Sequence, residues 1–274
     1  MKSAAFDYHR PANCAEAIAL LCASQGMSKP VGGTQSLGPM LNLRLAQPDA
    51  LIDLAAIAEL RACRDEGDHI SIGACVTHAE IEDGRIVDPS CGMLAHVARG
   101  IAYRAVRNRG TVGGSLAHAD PAADWINAMP LLGADLLLTG PNGSRKVAAA
   151  DWTIGAFTTV LAEDELLTAV RLPRRSPQTR WSYYKFNRKT GEFAEAIAGF
   201  LVDPADGLCR ALIGALDGPP HIVEDATALL AEPAGSVADA VLRDTGLEPG
   251  SYEYRIHAVA LQRAAAQLKE TPEQ

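Results

Sequence analysis

No two of the six cysteines, Cys14, Cys22, Cys63, Cys75, Cys91 and Cys209, lie within three residues of each other. The chain therefore lacks a C-x-x-C clip for zinc or an iron–sulfur cluster. Its thiols read as small buried hydrophobes in a reducing compartment. Long apolar runs are also missing, and none approaches the ~18 residues that a membrane span needs. The stretch from Met1 to Arg10 turns polar early and carries no apolar leader or cleavage signature, so the expected location is the cytoplasm. Positive charge is in deficit: 25 Lys and Arg against 33 Asp and Glu leave a net charge of −8. That argues against a general nucleic-acid or anionic-membrane surface. The seven histidines show no metal spacing such as H-x-x-x-H. Ser36 and Ser115 lack the strand–Gly-x-Ser-x-Gly–helix context of a nucleophile, and His118 and Asp120 make only a fragment of a triad. With no acid–base–nucleophile set, any chemistry here falls to a cofactor.

What is present is a chain of 274 residues, 48% hydrophobic and 21% charged. It is long enough for two domains or one large one. Two glycine pairs stand out among its 24 glycines. The first lies in Val31-Gly32-Gly33-Thr34-Gln35-Ser36-Leu37, the second in Thr111-Val112-Gly113-Gly114-Ser115. Such pairs can turn with positive φ and let a ligand touch the backbone. Their converging N–H groups suit phosphate oxygens. A lone pair is more often just a turn. Two matched pairs brought face to face would grip a pyrophosphate from both sides.

Along the chain, Asn13 with Glu16 predicts a helix start, and Gly26 its end. Leu51 to Leu54 and His69 to Ala74 read as strands, and Thr77 with Glu80 as a capping box opening a short helix. Ser90 begins a further helix. Asp120-Pro121 reads as a capping acid followed by proline at the first helical position, starting a helix that runs to about Leu132. A hairpin turns at Pro141 to Ser144, and a strand runs from Leu166 to Leu172. Residues 174–178 form the expected domain boundary, giving 1–175, with an internal break near 55–60, and 176–274. Beyond it, Trp181 to Asn187, Glu195 to Val202 and Cys209 to Leu216 read as three antiparallel strands. Helical patterns follow at Ile222–Leu230, Val237–Arg243 and Tyr252–Leu268.

The run from Val31 to Leu37, through Leu43-Arg44-Leu45-Ala46, to Leu51-Ile52-Asp53-Leu54 resembles the first signature of the FAD-binding medium subunits of molybdenum hydroxylases. This family includes carbon monoxide dehydrogenase and the FAD domain of xanthine dehydrogenase. Val106 through Thr111, Gly113, Gly114 and Ser115 to Asp124 is similar to its second signature almost residue for residue. The likeness continues through Glu165-Leu166-Leu167, Tyr184-Lys185-Phe186 and Ser251-x-x-Tyr254-Arg255, covering essentially the whole chain.

The resemblance implies an α+β fold: a two-lobed α/β FAD-binding domain of the vanillyl-alcohol-oxidase-like type, then a smaller domain with a three-stranded antiparallel sheet and helices. It implies that Val31 to Leu37 and Thr111 to Ser115 wrap the FAD pyrophosphate. Asp124 matches an acidic residue contacting the dinucleotide, for which accepting ribose hydroxyls is the natural role. Ile101 and Leu167 match apolar residues packed on the cofactor rings, and Lys185 a lysine near the flavin end. Plainer readings stand beside these: Asp124 complementing a helix N-terminus, Lys185 as a solvated strand residue, Ile101 and Leu167 as ordinary core. Thr34-Gln35, Ser115 and Glu192 depart from the commoner residues of the family. The implied partners are a large molybdopterin subunit and a small subunit with two [2Fe-2S] clusters, in a heterotrimer that pairs into a dimer. No cluster-binding insertion is visible, so no iron–sulfur centre is expected in this chain. Part of the arginine group at 99, 104, 107 and 109 is expected to face the iron–sulfur partner or the phosphates, beside the plainer reading of a solvated face. Two other readings stay open: a free-standing FAD-dependent reductase or oxidase, and a non-redox phosphate-binding assembly protein.

Overall fold

A computed structural model describes residues 2–24 and 26–270; Met1 of the leader reading lies outside them. The chain opens with β1 (Asp7–His9), α1 (Cys14–Ala23), β2 (Ser28–Val31), α2 (Leu37–Asn42) and β3 (Ala50–Asp53). These strands form a parallel sheet in the order β1-β3-β2. Asn13 caps α1 by accepting from the Glu16 amide at 2.9 Å. Glu16 answers by accepting from Ala12, one residue before the expected cap, at 2.7 Å. The helix ends at a Ser24 cap, short of Gly26.

The chain then enters a second sheet. β4 (Cys63–Asp65) and β5 (His69–Gly73) precede a run of helices: α3 (His78–Glu82), α4 (Met93–Arg99), α5 (Arg104–Arg107), α6 (Val112–His118) and α7 (Asp124–Leu132). Next come β6 (Asp135–Gly140), β7 (Gly143–Ala148), a small hairpin of β8 (Thr153–Gly155) and β9 (Thr158–Thr159), and β10 (Leu166–Pro173). The sheet order is β4-β5-β10-β6-β7, antiparallel throughout. The capping box of Thr77 and Glu80 forms completely. Ser90 accepts the Leu94 amide on its hydroxyl at 2.9 Å, while α4 itself starts after Gly92.

Two expected features differ here. The second glycine pair lies inside α6, capped by Thr111, whose hydroxyl accepts the Gly114 amide at 3.1 Å. Asp120 does not cap α7. It turns on itself by accepting the Ala122 amide at 3.0 Å, and α7 starts at Asp124.

The third sheet holds β11 (Arg180–Phe186), β12 (Ala196–Asp203), β13 (Leu208–Gly214) and β14 (His221–Val223) in that order. It has four strands where the sequence predicts three, because His221 to Val223 pairs with Ala211 to Ile213 instead of opening a helix. The chain closes with α8 (Thr227–Ala231), α9 (Ser236–Asp244) and α10 (Tyr252–Glu270).

Side-chain alternation gives this last sheet two apolar faces. Tyr183, Ile197, Leu201 and Leu212 join the main core with Ile70, Ile72, Trp125, Leu136 and Val170. Ala196, Ala198, Phe200 and Ala211 form a second core with Leu261, Ala264 and Leu268 of α10. Helix α7 lies in the main core with all nine residues buried. Its buried polar Asn127 is satisfied: the amide donates to Pro121 and Ala123 carbonyls, and its oxygen accepts from Ala215. Unpaired, it would cost about 1–3 kcal/mol.

Candidate functional site

The structure brings the two glycine segments together. A Cβ on Gly33 would stand 2.0 Å from the Arg109 carbonyl oxygen, and one on Gly32 2.8 Å from the Thr111 hydroxyl. Gly113 packs as closely on Ala74, where a Cβ would meet the Ala74 Cβ at 2.4 Å. Close approach, and not the left-handed backbone anticipated from the sequence, is what requires these glycines. The left-handed residue in the first segment is Thr34, with φ 56°.

The segments offer different groups. Among the described residues, the amides of Thr34, Gln35, Ser36 and Leu37 donate to no protein acceptor. The Thr34 hydroxyl and the Gln35 amide both fold back onto the Gly33 carbonyl, at 2.8 and 2.9 Å. Four successive N–H groups are thus left for an acceptor from outside. In the second segment the amides of Val112, Gly113, Gly114 and Ser115 are all committed, to Val76, Ala74 and Thr111. That segment presents hydroxyls and a helix start, not a row of open amides.

A second group gathers around α7 and β11. Lys185 Nζ lies 2.8 Å from Asp124 Oδ2 and also donates to the Gly100 carbonyl at 3.3 Å. The Tyr183 hydroxyl donates to Asp124 Oδ1 at 3.3 Å. Period two on β11 points Tyr183 and Lys185 to one face. Tyr183 was missed from sequence, though its place two residues before Lys185 is the signal that would have found it. Asp124 is 5% exposed, so its carboxylate is occupied within the protein and not offered to solvent. Burial pushes its pKa up, against the Lys185 ammonium and the Tyr183 hydroxyl, which pull it down. Burial, reinforced by the Asp124 charge, holds the Tyr183 phenol well above its ordinary value.

Ile101 is half-buried against the main core and Leu167 lies inside it. The Ile101–Ala102 backbone is fixed by Arg107, whose Nη1 donates to both carbonyls at 2.9 Å. The rest of that guanidinium forks onto Glu82, at 2.7 and 3.1 Å. Arg104 binds Glu82 and Asp83, all at 2.7 Å. Of the four arginines in this group, Arg104 and Arg107 are committed within the chain, while Arg99 and Arg109 are exposed. His118, the triad fragment, packs against Phe157 with the rings tilted at 57° and their centres 5.3 Å apart. Behind the second segment, His78 Nδ1 accepts from Trp125 Nε1 at 3.0 Å. Burial, with a smaller push from Arg107, lowers the pKa of His78 to about 4.

The family described as the FAD binding domain in molybdopterin dehydrogenase matches residues 4–175. The carbon monoxide dehydrogenase medium chain of Afipia carboxidovorans is 34% identical over 278 residues, covering 96% of each chain. The nicotine 6-hydroxylase medium subunit of Paenarthrobacter nicotinovorans is 35% identical over 265 residues, covering 95% of this chain and 92% of that one. Among solved structures, a chain of carbon monoxide dehydrogenase from Hydrogenophaga pseudoflava superposes with a TM-score of 0.87 at 32% identity, covering 98% of this chain and 99% of that one. The chain belongs to the family of FAD-binding domains of molybdopterin dehydrogenases.

Proposed function

We propose that this chain is the electron-transferring FAD subunit of a heterotrimeric molybdenum-containing hydroxylase or dehydrogenase. The observation that carries the reading is the row of four open amides at Thr34 to Leu37, directly after Gly32 and Gly33, which pack on the Thr111 side chain and the Arg109–Gly110 backbone. A diphosphate supplies the acceptors these amides lack, and each charge-assisted bond contributes about 1.5–3 kcal/mol. Four of them suffice to hold an anion in a chain whose net charge is −8. The residues thus fit the cofactor the family implies.

In this reading Val31, Gly32 and Gly33 bring the chain into the loop, and the backbone amides of Thr34, Gln35, Ser36 and Leu37 hold the pyrophosphate. Thr111, Gly113, Gly114 and Ser115 form the opposing wall. Asp124 is assigned to fixing Lys185 in place, since its oxygens already accept from Lys185 and Tyr183. Lys185 keeps a cation beside Gly100, next to Ile101. Ile101 and Leu167 supply apolar surface, and Arg107 holds the Ile101–Ala102 turn in shape. When bound, FAD would supply the exchange between single electrons from iron–sulfur clusters and electron pairs for an external acceptor.

The partners in this proposal are a small subunit with [2Fe-2S] clusters and a large molybdopterin subunit, assembled as a dimer of heterotrimers in the cytoplasm. The division of the chain at residue 175 belongs to the same proposal. No helix among the described residues is long and apolar enough to cross a membrane. Purification from cells expressing the adjoining genes tests the reading. Two co-purifying chains and a flavin absorption band are expected. A chain that turns over small substrates alone would instead make it a free-standing reductase or oxidase. A colourless chain would make it an assembly protein.

A further inference from the structure

Helix α10 carries two stripes. Ala260, Leu261, Ala264, Ala265 and Leu268 are buried against the sheet. Beside them Tyr252, Arg255, Ile256, Val259 and Arg263 follow the i, i+3, i+4, i+7, i+11 spacing of a neighbouring face. With Tyr184 and Phe186 of β11, this second stripe lines a half-open hollow of about 330 Å³ at the surface. Period two along β11 puts Tyr184 and Phe186 on the face opposite Tyr183 and Lys185. The cavity is therefore separated from the proposed flavin site by the sheet.

Its lining is apolar and aromatic apart from two arginines, and contains no carboxylate. The Arg263 guanidinium lies 5.4 Å from the centre of the Tyr184 ring and donates to the Tyr184 hydroxyl. The Arg255 side chain has no hydrogen-bond or ion-pair partner among the described residues. Elsewhere arginines such as Arg104, Arg107, Arg145, Arg171 and Arg174 are each matched to acids. Two acids reach the rim at Tyr252: Glu195 accepts from its hydroxyl at 2.8 Å and is paired with Arg188 at 2.7 Å, and Glu253 adds a weaker charge effect.

We propose that this cavity binds a small planar organic anion, an aromatic or unsaturated carboxylate, with its flat body between the aromatic walls and its charge on Arg255 and Arg263. The volume sits at the lower end of the range for small-molecule sites. A guanidinium fork matches a carboxylate in geometry. Aromatic faces suit a planar body better than an alkyl chain.

Isothermal titration of the full chain, in the presence of saturating FAD, with 1-naphthoate and its neutral counterpart 1-naphthamide tests this. Naphthoate is expected to bind one per chain, at least tenfold more tightly than naphthamide. Arg255→Gln, an exposed change, is expected to erase that tenfold margin, and Val259→Trp to abolish binding of both. Circular dichroism checks that the variants fold, and Arg255→Gln carries the test alone if Val259→Trp does not. Absence of binding, equal affinity for the two probes, or binding unchanged in Arg255→Gln would overturn the proposal. Loss of naphthoate binding only when the partner subunits are present would also overturn it, by making the cavity a protein interface.

Discussion

At the scale of single residues, Gly33 decides whether the two signature segments can meet. An added methyl group would sit 2.0 Å from a backbone carbonyl that has no freedom to swing away. Gly32 faces the Thr111 side chain at 2.8 Å, which can rotate at the expense of its cap on α6. Gly33→Ala is therefore expected to lower stability by ~2 kcal/mol or more, in the overpacking range, and to lose FAD during gel filtration. Gly32→Ala should retain more of both, as read by thermal unfolding and the absorbance ratio at 450 and 280 nm. Equal behaviour of the two would contradict the contact geometry. The glycine pairs were legible in the sequence, but their reason was not. Spacing predicted positive φ, whereas their necessity comes from neighbours that only the fold supplies: Arg109, Thr111 and Ala74.

The Asp124–Lys185 pair is a second residue-scale case, because its partners are 61 positions apart and no local pattern joins them. The resemblance gave each a separate role on the cofactor, and the structure joins them. Removing one partner of a buried pair leaves a stranded charge or polar group, at a cost of about 3–5 kcal/mol. Lys185→Met is expected to lose stability on that order in urea unfolding. Asp124→Leu combined with Lys185→Met should recover part of it. A double variant with the summed loss of both singles would show that the pair is not coupled.

At the scale of elements, α6 shows where local rules fail. Two glycines in seven residues argue against a helix. Yet Thr111 caps it, Val112 and Leu116 face the core, and the Trp152 indole donates to the Leu116 carbonyl at 2.9 Å. Tertiary contacts outweigh propensity here. Strands β1 and β2 escaped detection for a different reason. Their three and four residues are mostly exposed or half-buried, so neither alternation nor an apolar run marks them.

Helix α3 carries a pH signal. His78, its first residue, is buried as the neutral acceptor of Trp125, with its pKa lowered from 6.5 to about 4. The unfolded chain takes up a proton near pH 6.5 that the folded chain refuses until about pH 4. Stability therefore falls as pH drops through that window and is unaffected by this group above it. The contribution is on the order of 3 kcal/mol. His78→Gln keeps an acceptor for the indole but does not titrate. Between pH 6.5 and 4 its stability should fall less steeply than that of the wild type; identical slopes would remove His78 from the account.

At the scale of the whole molecule, one sheet joins two cores. Its inner face completes the main core around α7, and its outer face carries α10. The order of elements was largely readable from caps, alternation and turns. That the core runs across residue 175 was not, since long-range packing leaves no periodic trace in sequence. The same arrangement places Lys185 and the arginine-lined cavity on opposite sides of β11. A ligand on one side and a cofactor on the other can then be bound and measured independently.

The central claim is that the backbone of residues 34–37 exists to hold a diphosphate. Titration of flavin-free chain with FAD and with riboflavin, followed by quenching of flavin fluorescence, tests it most directly. The account predicts one FAD bound per chain and riboflavin bound at least a hundredfold more weakly, because riboflavin has nothing to offer the four amides. Equal affinity for the two flavins would contradict it.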